Sequence, residues 1–230
     1  MKPKHIAIIM DGNRRWAKSN NYSILEAYEK GLETLNDTIN NFIKLKIKYL
    51  TVFGFSTENW SRSNKEISFL MKLFNKFLDK AISEAEGNEI RIKFIGDLEV
   101  FSKKIREKAS LLSELTNKKK KLTLTIAVNY GGRQEILIAV KKYLTDHLNE
   151  NFHSLKNLND FEKYLFNYKF PNIDLLIRTG GEKRLSNFML WHLAYTELIF
   201  LNQMWPDFNL NLLDSSINEF ISRKRKFGGM

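Results

Sequence analysis

The sequence contains no cysteine, which excludes disulfide bonds and cysteine-ligated metal sites and fits a reducing compartment. Only 3 of its 230 residues are proline, and no stretch rich in proline, glycine or serine interrupts it, so we expect a single domain over residues 1–230. No uncharged apolar run approaches the roughly 18 residues of a membrane-spanning helix. The four histidines lack the spacing of metal ligands. We therefore expect a globular chain built around one apolar core.

What the chain has in excess is positive charge and phenylalanine. The net charge is +11, which suits nucleic acid, anionic lipid or phosphorylated substrates. The densest basic runs, 118–121 and 223–226, are typical of a solvated turn and of a helix C-terminus, and neither carries the aromatic residues of a single-strand binding platform. The 17 phenylalanines exceed what a minimal core needs. They indicate an apolar cavity or groove.

The apolar periodicity alternates between strand and helix along the chain. Apolar runs predict six strands, at residues 6–10, 47–55, 90–95, 122–128, 173–177 and 197–201. Amphipathic stripes predict helices between them, including 25–42, 67–82 with Ser63 or Asn64 as its N-cap, and a short helix at 161–168. This alternation is typical of an α/β fold with a mostly parallel six-stranded sheet flanked by helices.

Polar segments follow four of the predicted strands, at 11–16, 56–62, 129–133 and 178–187. In a parallel sheet, ligands bind beyond the carboxyl ends of the strands, so these segments are expected to share one site. Residues 178–188 read RTGGEKRLSNF: glycines allow close backbone approach, and arginine forks pair with phosphate oxygens. The first segment, DGNRRW, also combines a glycine with arginines, and it adds the carboxylate of Asp11. Two such sites suggest an enzyme that joins two phosphorylated substrates.

Five ordered motifs together resemble the cis-prenyltransferase family, most closely its bacterial undecaprenyl diphosphate synthases. They are residues 8–17, 55–60, 129–133, 178–188 and 205–207. The resemblance implies a homodimer with an apolar tunnel. It also implies Mg²⁺-dependent condensation of isopentenyl diphosphate onto farnesyl diphosphate, which yields a long polyprenyl diphosphate, the precursor of the lipid carrier for cell-wall glycans.

The resemblance also assigns roles to individual residues. Asp11 and Glu197 would hold Mg²⁺, and Asn59 would orient the substrate for proton removal. The allylic diphosphate would contact Gly12, Asn13, Arg14 and Arg15, and the diphosphate of isopentenyl diphosphate would contact Arg178, Arg184 and Ser186. The remaining substrate-binding positions that it implies are Trp16, Ser56, Thr57, Glu58, Trp60, Arg62 and Leu185. Without the motifs, Asp11 is also typical of a helix N-cap residue, and Trp16 and Trp60 are also typical of ordinary core aromatic residues.

Three positions depart from the family pattern. Arg14 replaces a common glycine, Ile24 stands where an arginine is often found, and Tyr28 stands where a histidine is frequent. Two cationic or donor groups are thus missing, and one guanidinium is gained nearby. We expect Arg14 to substitute for the arginine that is missing at position 24.

Other functions remain open on the sequence alone. They are a synthase of shorter cis-prenyl chains, a non-catalytic subunit of the same fold, and a nucleic-acid-binding domain, the last supported by charge only. The chemistry of the implied product favours a cytoplasmic enzyme that touches the inner membrane surface and has no nucleic-acid partner.

Overall fold

The computed structural model describes residues 2–147, 158–166 and 170–224. Within them, six strands form one sheet in the order β3-β4-β2-β1-β5-β6, and every pair of neighbours is parallel. The strands are β1 (His5–Ile9), β2 (Tyr49–Ser56), β3 (Ile90–Ile95), β4 (Leu122–Tyr130), β5 (Leu175–Arg178) and β6 (Glu197–Phe200). The predicted α/β class and six-stranded parallel sheet are confirmed.

Seven helices are described alongside the sheet. They are α1 (Asn13–Ser19), α2 (Ile24–Lys44), α3 (Asn64–Ser83), α4 (Lys103–Leu115), α5 (Gly132–Asp146), α6 (Leu158–Glu162) and α7 (Leu210–Ser222). Ser23 begins α2 with a capping box, since it accepts from Glu26 N while the Glu26 carboxylate accepts from Ser23 N. Ser63 caps α3 as predicted, accepting from Glu66 N.

Two predicted elements were misplaced. The short helix expected at 161–168 begins earlier and ends at Glu162, because the chain then turns, with Leu165 N bonded to Glu162 O; residues 167–168 lie outside the described residues. The strand expected at 173–177 begins at Leu175 instead. Asp174 precedes it because its carboxylate accepts from the backbone nitrogens of Lys4 and His5.

Apolar side chains cover both faces of the sheet. All five residues of β1 and all nine of β4 are buried, as expected of strands covered on two sides. One face packs against α2, α3, α4 and α7 in the larger core cluster, and segment 185–193 contributes to the smaller cluster on the other face. Among the described residues, no helix combines the length and apolar character that a bilayer span requires.

The turn after β3 fits against β4 with no room for a side chain. Gly96 has a φ of +113°, and a Cβ there would lie 2.0 Å from the carbonyl oxygen of Val128. The contact supports Asn129, whose Nδ2 donates to Asp97 O and whose Oδ1 accepts from Trp60 Nε1. This turn therefore ties the end of β3 to two segments beside the site.

We expect Gly96→Ala to lower the free energy of unfolding by about 2 to 4 kcal/mol, because it combines backbone strain with a clash against backbone. Urea unfolding followed by circular dichroism measures the loss. Gly87→Ala is the matched control, since the nearest atom to its Cβ would be 3.8 Å away. Equal stability of the two variants would show that the turn tolerates a side chain.

Candidate active site

The carboxylate of Asp11 and the guanidinium of Arg178 form the centre of the site. Asp11 lies two residues beyond β1, and Arg178 is the last residue of the neighbouring β5. Arg178 Nη2 lies 2.9 Å from Asp11 Oδ2. The Arg178 side chain is 4% exposed and that of Asp11 is 29% exposed. The sheet thus holds a buried cation against a carboxylate that a ligand can still reach.

The loop that follows β5 wraps around the Arg178 side chain. Arg178 Nη1 donates to the carbonyl oxygen of Arg184 and, at 2.8 Å, to Ser186 Oγ. Ser186 and Asn187 adopt left-handed backbone conformations, with φ values of 49° and 62°. Non-glycine residues in this region carry strain, and such strain concentrates at functional sites. The loop conformation is therefore fixed around the guanidinium.

Two further arginines stand at the more exposed rim of this pair. Arg15 lies 3.4 Å from Asp11 Oδ1 and 3.5 Å from Glu182 Oε1, and Arg184 Nη1 donates to Glu182 at 2.5 Å. A Cβ at Gly180, where φ is +83°, would lie 2.8 Å from Arg15 Nη2. The positive φ and the 3.1 Å that would separate this Cβ from the Asp11 backbone both favour glycine at this position. The rim arginines are paired but exposed, and can reorient toward a ligand.

Asn187 joins the loops that follow β2, β4 and β5. Its Nδ2 donates to Glu58 Oε1 and Gln134 Oε1, both at 3.0 Å, and its Oδ1 accepts from Arg133 N at 2.9 Å. Its carbonyl oxygen accepts from Gly132 N at 2.6 Å. One amide thus fixes three strand-end loops relative to one another.

The segment after β2 is a single 3₁₀ turn, Thr57–Ser61, whose first residues face the site. Asn59 Oδ1 accepts from Ser56 N at 3.0 Å, which leaves the Asn59 amide NH₂ for a ligand. Burial alone would raise the pKa of Glu58. Hydrogen bonds, led by the one from Asn187, outweigh burial and hold that pKa below its ordinary value. Glu58 is therefore a carboxylate acceptor that orders this turn.

Tyr28, Arg62 and Glu66 form a second polar cluster, between α2 and α3. The Tyr28 hydroxyl donates to Glu66 Oε1 at 2.7 Å and accepts from Arg62 Nη1 at 2.7 Å. Burial raises the pKa of Tyr28 well above its usual range, and the positive charges of Arg62 and Arg14 only partly oppose this. Tyr28 is thus a neutral donor that holds Arg62, and Arg14 is close enough to act on it electrostatically.

These residues surround the mouth of a cavity of about 1300 Å³. This exceeds the roughly 300–1,000 Å³ of most small-molecule pockets. Its mouth is polar and its interior is apolar, between α2 and α3 and against β2 and β4. The predicted site residues that line it are Asp11, Gly12, Asn13, Arg14, Arg15, Ser56, Glu58, Asn59, Arg62, Arg178, Arg184 and Ser186. Its interior is lined by Leu32, Leu35, Val52, Leu70, Met71, Phe74, Phe77, Phe101 and Ile126, among others.

Buried polar atoms without a hydrogen-bond partner concentrate in the same place. In the described part of the chain there are four: Asn13 Oδ1, Thr57 Oγ1, Arg106 Nε and Arg178 Nε. Three of these four belong to predicted site residues. Unsatisfied buried polar groups are rare in folded proteins, and a bound ligand is one way to satisfy them.

Four predicted substrate-binding residues do not line the cavity, namely Trp16, Thr57, Trp60 and Leu185. Trp16 Nε1 donates to Asp207 Oδ1 at 2.8 Å, and Trp60 Nε1 donates to Asn129 Oδ1 at 2.8 Å. Leu185 packs against the smaller core cluster. In this structure the side chains of Trp16, Trp60 and Leu185 support the loops of the site from outside.

The structure does not bring Glu197 to Asp11 of the same chain, and the role of Glu197 as a second metal ligand stays a prediction. Glu197 opens β6 at the level of Leu175, which pairs with Ile6 of β1. Asp11 lies five residues beyond Ile6, which is about 16 Å along the strand direction. Glu197 instead binds Arg223 Nη1 at 2.8 Å. Glu197 is therefore distant from Asp11 of its own chain, because a residue at a strand start lies at the opposite edge of a parallel sheet.

Several residues of the site were missed in the sequence. They are Thr179, whose Oγ1 donates to Asp11 O at 2.8 Å, together with Glu66, Glu182 and Asn187. Thr179, Glu182 and Asn187 lie inside the 178–188 motif, which was a usable signal. Tyr28 and Glu66 are 38 residues apart on two helices, and no local pattern connects them.

The cavity defines a class of enzyme. Arginines at the ends of parallel strands suit a diphosphate, and the deep apolar interior beneath them suits a hydrocarbon chain. One cavity with both features suits a prenyl diphosphate, and the motifs at its mouth are those of cis-prenyltransferases.

Comparison with known proteins identifies the family. A family described as "Putative undecaprenyl diphosphate synthase" matches residues 9–228, so the chain belongs to it. An isoprenyl transferase of Rickettsia bellii is 44% identical, with 98% of this chain and 97% of that protein covered. A ditrans,polycis-undecaprenyl-diphosphate synthase ((2E,6E)-farnesyl-diphosphate specific) of Haemophilus influenzae is 41% identical, with coverages of 99% and 95%.

A solved structure of a related enzyme has the same fold as this chain. Lavandulyl diphosphate synthase from Lavandula x intermedia, in complex with dimethylallyl diphosphate, superposes with a TM-score of 0.94 at 34% identity, covering 99% of both chains. The chain is therefore a transferase that carries out cis-prenyl chain elongation.

The Asp11 carboxylate competes with any anion for Arg178 and Arg15. Without Mg²⁺, we expect Asp11→Asn to bind inorganic pyrophosphate about tenfold more tightly than the wild type, because a negative charge next to the anion is removed. Titration calorimetry in EDTA measures this. Asp37→Asn, an exposed carboxylate in α2 outside the cavity lining, is the control for net charge. Weaker binding by Asp11→Asn would show that Asp11 is needed to hold the arginines in place.

Proposed function

We propose that this enzyme extends farnesyl diphosphate by repeated cis addition of isopentenyl diphosphate to undecaprenyl length. The split polarity of the cavity carries the proposal, because an arginine-rich mouth above an apolar interior matches the diphosphate head and prenyl tail of a growing chain. The family description and the farnesyl-specific relative favour the long product. A shorter product is the second candidate, supported by the likeness to lavandulyl diphosphate synthase.

The residues at the mouth suit two diphosphate subsites. Arg14, Arg15 and Asn13 belong to α1 and would bind the allylic diphosphate. Arg178, Arg184 and Ser186 belong to the β5 end and its loop, and would bind the diphosphate of isopentenyl diphosphate. Arg178 keeps its Nε and one Nη2 hydrogen for this contact, since its other donors are used within the protein.

The donor set at Asp11 fits Mg²⁺. This ion is usually held by one or two carboxylates plus substrate phosphates, with water completing the shell, rather than by a protein cage. Asp11 is partly exposed beside the arginines, and its Oδ1 has only the loose 3.4 Å contact with Arg15. No cluster of three or more His, Cys, Asp or Glu ligands occurs among residues 2–147, 158–166 and 170–224. When bound, Mg²⁺ would neutralise charge on the leaving diphosphate.

The reaction places different demands on each side chain. A bond forms between C1 of the allylic substrate and the terminal alkene carbon of isopentenyl diphosphate, while the allylic C–O bond breaks and diphosphate leaves. Arg14 and Arg15 would stabilise the charge on that leaving group. A proton is then lost from isopentenyl C2. Asn59 would orient the substrate through its amide NH₂ while a diphosphate oxygen takes the proton, because an amide is a poor base.

The proposed function also bears on the assembly of the enzyme and on its location in the cell. We propose a homodimer of single catalytic domains spanning residues 1–230. In support, Leu137, Val140 and Leu144 are exposed along one face of α5, as expected of a surface that another chain covers. We also propose a cytoplasmic enzyme in peripheral contact with the inner membrane and without a nucleic-acid partner, because its product is too apolar for water.

The proposed function is tested by incubation with farnesyl diphosphate, radiolabelled isopentenyl diphosphate and Mg²⁺, with separation of products by chain length. We expect a ladder that ends at undecaprenyl length. Asp11→Ala should abolish it, and circular dichroism should show that this variant remains folded. Asp37→Ala should leave the ladder unchanged.

The other outcomes are also informative. A ladder that ends at shorter chains would replace the undecaprenyl proposal with the second candidate. Absence of extractable label with the folded wild-type protein and a range of allylic primers would overturn the proposed substrates.

Arg14 is expected to supply the cation that is missing at position 24. Both residues line the cavity mouth, and Arg14 acts on the Tyr28 hydroxyl nearby. Arg14→Gly should raise KM for farnesyl diphosphate about 10- to 100-fold, the value of one charge-assisted hydrogen bond, and leave KM for isopentenyl diphosphate nearly unchanged. Steady-state kinetics with each substrate varied in turn measures both constants.

A compensating change makes this test specific. The double variant Arg14→Gly/Ile24→Arg should recover most of the lost affinity, since it restores one guanidinium at the alternative position. Unchanged KM in Arg14→Gly, or no recovery in a folded double variant, would show that Arg14 does not replace that cation.

A further inference from the structure

Three neighbouring strands each begin directly after a lysine. Lys4 precedes β1, Lys48 precedes β2 and Lys121 precedes β4. Tyr49 N donates to Lys4 O at 3.1 Å, and Thr123 N donates to Lys48 O at 2.8 Å. Neighbouring strands lie about 4.8 Å apart, so the three lysine backbones form a row roughly 10 Å wide. The row stands at the edge of the sheet opposite the active site.

The turns that lead into these strands add more lysines. Lys46 lies in the turn between α2 and β2, and Lys118 and Lys120 lie in the turn between α4 and β4. All are exposed. We use the name basic edge for the surface formed by six exposed lysines, which are Lys4, Lys46, Lys48, Lys118, Lys120 and Lys121.

The protein does not neutralise the basic edge itself. None of the six lysine side chains forms an ion pair with a described residue. The nearby Glu89 pairs with Lys119 at 3.7 Å. The Asp174 carboxylate accepts from the backbone nitrogens of Lys4 and His5. Of the other acidic residues at this edge, Glu84 and Glu86 precede the outermost strand β3, and Glu114 lies in the last turn of α4. Glu197 begins the other outermost strand, β6, and pairs with Arg223. The central part of the edge is therefore positive.

The apolar end of the cavity points toward the basic edge. Helices α2 and α3 start beside the active site and run antiparallel to the strands, so they end near the lysines. The cavity follows them inward from Tyr28 to Leu35 on α2 and from Leu70 to Phe77 on α3. At about 1.5 Å per residue, the cavity descends roughly 10 Å along each helix from the polar cluster.

We propose that the basic edge docks on an anionic lipid bilayer and so turns the apolar end of the cavity toward the membrane. The reason for docking rests on the proposed function, because an enzyme with a long polyprenyl product must deliver it to lipid. Lysines are hydrated point charges that suit a diffuse anionic surface better than a specific bidentate contact. The aromatic rings beside these lysines, Tyr49 and Phe170, are half-buried and pack against each other with centroids 5.5 Å apart, whereas bases stack on open aromatic faces. A bilayer is therefore favoured over RNA.

The test is co-sedimentation with vesicles of phosphatidylglycerol mixed with phosphatidylcholine, and with vesicles of phosphatidylcholine alone. The wild type should bind only the anionic vesicles, and high salt should release it. Each lysine near an anionic surface strengthens binding about fivefold, so Lys4→Gln/Lys48→Gln/Lys121→Gln should weaken binding by about 100-fold. The control Lys72→Gln/Lys76→Gln/Lys104→Gln removes equal charge from exposed positions elsewhere and should bind as the wild type does.

Other results would overturn the proposal. Undiminished vesicle binding by the first triple variant, or equal losses in both triple variants, would exclude the basic edge as the docking surface. Binding of polyuridylate that needs these lysines, without vesicle binding, would favour a nucleic-acid surface instead. If the first variant does not fold, Lys46→Gln/Lys118→Gln/Lys120→Gln makes the same test with the remaining lysines.

Activity separates this proposal from the proposed function. Prenyl transfer in detergent solution should be unchanged in the first triple variant, because no lysine of the basic edge lines the cavity. Loss of vesicle binding with full activity therefore supports the docking surface. A wild-type protein that binds vesicles but transfers no prenyl group would refute the proposed function alone.

Discussion

The buried charge of Arg178 is the constraint on which the site depends. A guanidinium that is 4% exposed must be neutralised and hydrogen-bonded, because an uncompensated buried charge costs several kcal/mol. Its partners come from the end of β1, through Asp11, and from the loop after β5, through Ser186 and Arg184 O. The hydrogen bonds that neutralise this one guanidinium therefore fix two segments more than 160 residues apart in the chain. The strained φ values of the loop after β5 follow from the way in which the loop wraps around the Arg178 side chain.

The other arginines are held differently, and the difference suits substrate binding. Arg15 contacts Asp11 and Glu182 at 3.4 and 3.5 Å, whereas Arg178 lies 2.9 Å from Asp11. Exposed ion pairs of this kind contribute little to stability, so a diphosphate can displace them at low cost. The buried arginine keeps the geometry of the site, and the exposed rim arginines are the ones that a ligand can reach. Acidic partners such as Glu182 keep the rim ordered until a ligand binds.

The sequence alone was sufficient to predict those parts of the fold and the site that a local pattern determines. The continuous apolar run of β1 predicts a strand covered on both sides, and parallel strands bring Asp11 and Arg178 to one edge wherever the intervening chain goes. The position of Glu197 could not be predicted, because its place along the sheet depends on register with Leu175, which is set by neighbouring strands rather than by its own segment. The Tyr28–Glu66 hydrogen bond could not be predicted for a related reason. It joins two helices, and no single segment determines how those helices pack. The end of α6 likewise depends on the turn that follows it.

A parallel sheet also separates two kinds of positive charge. Because all six strands run the same way, one edge collects the segments after strands and the other collects the segments before them. The cavity at the first edge is lined by five arginines and one lysine. At the other edge the six lysines form no ion pair with a described residue, whereas Arg223 is bound by Glu197 and Glu219 and Arg91 by Asn117. Planar forks suit the fixed oxygens of a diphosphate, and flexible ammonium groups suit a surface without fixed positions. The excess of positive charge in this chain thus serves two tasks at opposite ends of one sheet, and the residue type at each end indicates which task it is.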